Sequence, residues 1–220
     1  MGSTAITVHE SVTDPQAELW FAEPAGFLTL PLTDLLVEPD TSAADALAVA
    51  VAPLLAAAPD EGARQQFVAL VASGQQALGA LREHGTVHCS VGLHRDDVGP
   101  TYAPLLSLFT ISWQETNVAP RAVTAARAVT AAGGHTRIAF EEVPCGPVVL
   151  SETTVRCAAE SGLPQHPVLQ VHAHLPHPDC RRLAVFTVSA VSGARREEYR
   201  AVLRGIVGTV RFEDPLGVAS

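Results

Sequence analysis

The stretch from Pro167 to Val191, PVLQVHAHLPHPDCRRLAVFTVSAV, holds two apolar runs separated by Pro176-His-Pro-Asp179. Runs rich in Val, Leu and Phe and bounded by turn residues predict two strands, Pro167 to Leu175 and Arg182 to Val191. A turn this short joins antiparallel neighbours, because a parallel pair needs a crossover of roughly a dozen residues. Working outward, the same pattern predicts strands over Thr86 to Leu93, Ala103 to Trp113, Arg137 to Glu142 and Pro147 to Val155. Short strands fit Glu18 to Phe21 and Gly26 to Leu32, where Pro24 and Pro31 leave no room for a helix.

Helical periodicity occurs in four places. Ala44, Leu47, Ala48, Val51, Leu54 and Leu55 follow a cap at Thr41 or Ser42, and Phe67, Leu70, Val71, Leu78 and Leu81 make one stripe within Glu61 to His84. Pro120 to Ala132 is an Ala-rich segment closed by Gly133-Gly134. Tyr199, Val202, Leu203, Ile206 and Val207 form the apolar face of a last helix, with Val210 to Phe212 free to return as a strand. Strands linked mostly by turns imply an α+β fold, an antiparallel β-sheet flanked by helices. With no linker in the sequence, residues 1–220 read as a single domain with a helical insertion at about 41–84.

The 220 residues carry fourteen Arg, no Lys and twenty-three carboxylates, a formal charge of −9. Ten of those carboxylates precede the first cation, Arg64. Such a chain repels phosphate backbones and anionic lipid, which Lys and Arg would have to neutralise, so nucleic acid and membrane surfaces are not expected partners. The longest apolar run, Ala46 to Ala58, contains Pro53 and falls short of the ~20 residues that span a bilayer. The first ten residues show neither the basic nor the apolar region of an export signal. Cys89, Cys145, Cys157 and Cys180 form no C-x-x-C, which fits reduced thiols in a cytoplasmic protein.

Several strings resemble the Mog1/PsbP-like family, in particular its actinobacterial members of uncharacterised role. They are Pro24-Ala-Gly-Phe-Leu-Thr-Leu-Pro-Leu32, Pro144-Cys-Gly-Pro147, and a closing strand, helix and Gly208-Thr-Val-Arg-Phe212 after Thr187-Val-Ser189. The resemblance implies an α/β/α sandwich around an antiparallel sheet, and members that mainly bind other proteins. Fold analogy does not carry the partner across, and Cys145 stands where a small residue would be ordinary.

Three sets of residues are candidates for function. His172 and His174 share one face of a strand at period two, and with His177 from the following turn they could hold a divalent metal; a solvated polar strand face is the more ordinary reading. Arg196, Arg200 and Arg204 recur every fourth residue on the last helix, either as a solvated face or as a stripe for an acidic partner or the chain's own acidic third. Glu18-Leu-Trp-Phe-Ala-Glu23 sets aromatics between acids; Leu19 and Phe21 are expected inward, and Trp20 outward as an interface anchor. His88 and Cys89 are adjacent on a strand and so face opposite ways, which makes Cys89 a small hydrophobe rather than a base-activated nucleophile. No G-x-S-x-G, Walker loop, G-x-G-x-x-G or H-E-x-x-H occurs.

The expectation is therefore a non-enzymatic cytoplasmic protein-binding module without a cofactor. It would recognise another protein, or a second copy as a homodimer, through Trp20, Glu18, Glu23 and the arginine face. The alternative is a metal- or small-ligand-binding protein using His172, His174 and His177.

Overall fold

The structure is a computed structural model that describes residues 6–8, 17–24, 26–30, 78–95, 104–156, 167–190 and 193–213, with isolated positions between 32 and 68. Seven strands form one antiparallel sheet: β3 (Phe27–Thr29), β4 (Thr86–Arg95), β5 (Pro104–Glu115), β6 (Thr136–Val143), β7 (Gly146–Val155), β8 (Val168–Pro176) and β9 (Arg182–Ala190). Their order across the sheet is β3-β4-β5-β9-β8-β7-β6. Two further strands, β1 (Ile6–Val8) and β2 (Ala22–Pro24), pair with each other. Trp20 meets Arg211 in an isolated antiparallel bridge, so the strand expected at Val210 to Phe212 is reduced to that one contact. The result is of α+β class with helices packed on an antiparallel sheet.

Alternation along each strand divides the residues between two faces. Val148, Leu150, Val171, Ala173, Leu175, Phe109, Ile111, Phe186 and Val188 lie on one face and make the main core. Helix α2 (Arg196–Thr209) covers it with Tyr199, Leu203, Ile206 and Val207, the apolar face read from the sequence. Glu197 and Glu198 in its first turn suit the positive end of the helix dipole. The other face receives α1 (Arg121–Ala131), whose Ala125 and Val129 pack on Val149.

The β6–β7 hairpin turns at Pro144-Cys145 and requires glycine at its exit. Gly146 has φ +126, and a Cβ there would overlap the Arg121 guanidinium, which lies over the turn and donates to the carbonyls of Cys145 and Pro176. The Pro144-Cys-Gly-Pro147 string is thus a hairpin apex. Residues 78–83 are helical, as are the isolated described positions 42, 44, 45, 48, 49, 52, 61, 62, 64, 65 and 68. Thr41, Asp60 and His84 lie in bends or a turn, and the rest of the expected 41–84 insertion lies outside the described residues.

Candidate functional site

The arginine face of α2 is occupied by the protein itself. Glu152 on β7 is 1% exposed, and its Oε1 accepts from Arg200 at 3.1 Å, while Arg196 lies 3.5 Å from its Oε2. Arg200 also donates to the carbonyl of Arg137. Arg204 grips Glu141 on β6 through two nitrogens at 2.7 and 2.8 Å, and this fork holds the Glu141 carboxyl below its ordinary range. A free docking stripe at Arg196, Arg200 and Arg204 is therefore corrected: the counter-charges are Glu141 and Glu152, from the second half of the chain rather than its acidic third. The fourfold spacing that places three cations on one helix face also aims them at the strands beneath.

Trp20 is corrected as well. It is 8% exposed, because the bridge to Arg211 turns the segment against the end of α2 and buries Leu19, Trp20 and Phe21 together. Glu23, expected at a surface, is buried; its Oε1 accepts from Ser90 at 2.8 Å and lies 2.7 Å from His88 Nε2, beside the Phe21 and Phe109 rings. Glu18 stays exposed and pairs with Arg182 at 2.7 Å. His88 and Cys89 do face opposite ways. Cys89 is fully buried, and burial followed by the Glu23 charge pushes its thiol up to about 11.

His172 and His174 share the face away from α2, as their spacing predicts, but their third neighbour is His135 rather than His177. The three ring centroids are 5.5 to 5.8 Å apart, with the His135 ring edge-on to the other two. His135 Nδ1 is 2.9 Å from Ser151 Oγ, which lies 3.4 Å from His174 Nε2. His172 spans two neighbouring strands, with Nε2 2.9 Å from Thr153 Oγ1 and Nδ1 3.0 Å from Thr187 Oγ1. Burial, then the neighbouring imidazoles, pushes His172 down to about 4 and His174 to about 3; burial lowers His135 too. All three rings are neutral at physiological pH.

His177 lies on the opposite face. Its ring packs edge-on against Trp113 and Phe212, and its Nδ1 lies 2.9 Å from Asp179. Among the described residues no group of three His, Cys, Asp or Glu is placed to hold a metal ion. The ring geometry explains why: His172 directs both nitrogens at hydroxyls, and edge-to-face packing does not converge three lone pairs on one point. His177 lies beyond the end of β8, where strand alternation does not reach, and only the structure sends its ring to the other face; finding His135 required knowing that the chain after Gly133-Gly134 returns beside β7.

One surface feature escaped the sequence reading. Strand β6 ends the sheet, and among the described residues no strand pairs with its outer edge. Phe140 is 65% and Ile138 42% exposed. They flank Ala139, which packs against the main core, and Phe140 lies opposite Val149 on the α1 side. The structure turns Ala139 and Val143 of this strand toward the main core. A bulge between Thr136 and Ala139, with Arg137 at φ 49, begins the strand.

Comparison with protein-family models, with curated proteins and with solved structures found no match. Among the described residues no helix is long and apolar enough to cross a membrane.

Proposed function

We propose that this chain is a non-catalytic protein-binding module of the cytoplasm, of Mog1/PsbP-like type, and that β6 is its docking edge. The observation that carries the reading is the exposure of Ile138 and Phe140 on a strand whose outer side is unpaired among the described residues. A sheet edge offers a row of backbone donors and acceptors to an incoming strand, and apolar side chains beside it supply affinity and choice of partner. The chemistry of the remaining candidates agrees. Cys89 is a protonated, buried thiol, and the Glu23–His88 pair is enclosed in the core. A photo-crosslinking amino acid at position 140, introduced in living cells, tests the reading. A discrete covalent adduct to a protein is expected from position 140 and none from Val123, an exposed position on α1. Absence of an adduct at 140 would sink it.

A further inference from the structure

We infer that helix α1 is a hinged lid over His135, His172 and His174, which protons lift from the sheet while α2 stays in place. The two helices are held unequally. Tyr199, Leu203, Ile206 and Val207 tie α2 into the main core, whereas the buried apolar cluster beneath α1 is only Ala125, Val129 and Val149 among the described residues. Buried apolar area is what keeps a helix on a sheet, so the smaller contact opens at the lower cost. Helix α1 also has no side-chain cap, no acid in its first turn and no base in its last, so its ends add little.

Two polar atoms in this layer lack partners. Thr124 is buried with Ala125 and Val129 on α1, and its Oγ1 has no hydrogen-bond partner. His174, buried opposite Val149 in register, has none at Nδ1. Each forgoes a bond to water while the lid is shut and regains it on opening. The hinge follows the helix. Gly134 takes φ +90, and a Cβ added at Gly133 or Gly134 would meet nothing within 4 Å. His135 comes next, its ring centroid 5.5 Å from those of both His172 and His174, so lifting α1 draws one imidazole away from the other two.

Among the described residues no carboxylate faces the cluster. From α1, Arg121 is held at the β6–β7 turn by the carbonyls of Cys145 and Pro176, and Arg127 is exposed. On β7, Ser151 and Thr153 face the rings while Glu152 turns to Arg200 on the other side. Strand β9 offers the Thr187 hydroxyl, and Glu142 of β6 stands opposite Pro147 at the hairpin end. A proton taken up by one ring therefore meets no counter-ion and repels any charge on a second ring less than 6 Å away. Burial, then the neighbouring imidazoles, holds His172 and His174 below the ordinary 6.5, so the open form binds protons more readily and opening gains as pH falls below 6.5.

Hydrogen exchange on the full chain, read by mass spectrometry and corrected for the intrinsic rate at each pH, tests the inference. From about pH 7 to about pH 5, peptides from Arg121–Ala131 are expected to lose protection about tenfold or more, the effect of one imidazole that titrates normally only when the lid is open. Peptides from Arg196–Thr209 are expected to keep theirs. The double variant His172→Gln, His174→Gln should flatten the pH dependence of α1. Thr124→Val, which replaces an unpartnered hydroxyl by a methyl of like shape, should raise α1 protection at neutral pH about fivefold or more and leave α2 unchanged. Equal loss of protection in both helices on acidification overturns the inference, as does an α1 indifferent to pH or a Thr124→Val chain whose α1 is less protected than wild type.

Discussion

The two faces of the sheet handle buried polarity in opposite ways. Beneath α2, the buried Glu152 lies 3.1 Å from the buried Arg200, and an acidic side chain is answered by a basic one. On the other face, His135, His172 and His174 have no carboxylate among their described partners and are held neutral by burial and by one another. An ion pair loses most when one partner is removed, since the survivor is left charged in a poor solvent. A neutral network loses only a hydrogen bond per deletion, but it is exposed to acid because its members must take up protons once the chain unfolds.

The largest expected effect follows from the first face. Glu152→Ala leaves the Arg200 guanidinium buried without its counter-ion and should cost about 3 to 5 kcal/mol in urea unfolding; a loss below about 1 kcal/mol would show that water reaches the site. Next is acid. His172 and His174 have folded values of about 4 and about 3 against an ordinary 6.5, so the unfolded chain binds more protons between those limits. Their contribution is complete above pH 6.5 and falls as pH drops toward 4, by on the order of 3 kcal/mol for His172. Glu141 on the charged face, held below its ordinary 4.5, gives up its contribution only at lower pH. Unfolding free energies across this range should therefore slope between pH 6.5 and 4 in wild type and flatten in the double variant His172→Gln, His174→Gln.

A smaller effect sharpens the contrast. Thr187→Val removes the hydroxyl at His172 Nδ1 while conserving shape, and should cost about 1 kcal/mol, the net worth of a neutral hydrogen bond. Smallest of all, Arg204→Ala should cost no more than about 1 kcal/mol despite its two-pronged grip on Glu141, because that pair is largely exposed and screened. Added salt should reduce the Arg204 effect and leave the Glu152 effect nearly unchanged.

Much of the architecture was readable along the chain. The strands β4 to β9 fall within a few residues of their expected ranges, and both α1 and α2 lie where the 3.6-residue period and the glycine stop put them. The candidate sites were less readable. His172 and His174 share a face because alternation is local, whereas His177 follows the strand's end and its place against Trp113 and Phe212 was not readable from spacing. His135 reaches them only because the β6–β7 hairpin folds back on β8. Trp20 was expected outward from its acidic neighbours, but its burial depends on Arg211, nearly two hundred residues away. Ile138 and Phe140 are exposed on β6, which the strand order places at the end of the sheet.

Periodicity, turn chemistry and the absence of crossover helices between most strands decide that this chain makes an antiparallel sheet with an amphipathic helix at its end. These are short-range matters, settled by how a side chain sits relative to residues two to four positions away. Which carboxylate neutralises which arginine, which aromatic is covered and which strand is left at the edge are long-range matters. They depend on the strand order β3-β4-β5-β9-β8-β7-β6, in which β9 enters between β5 and β8 and sends β6 to the rim. Only that order brings Glu152 under Arg200 and leaves Phe140 facing water.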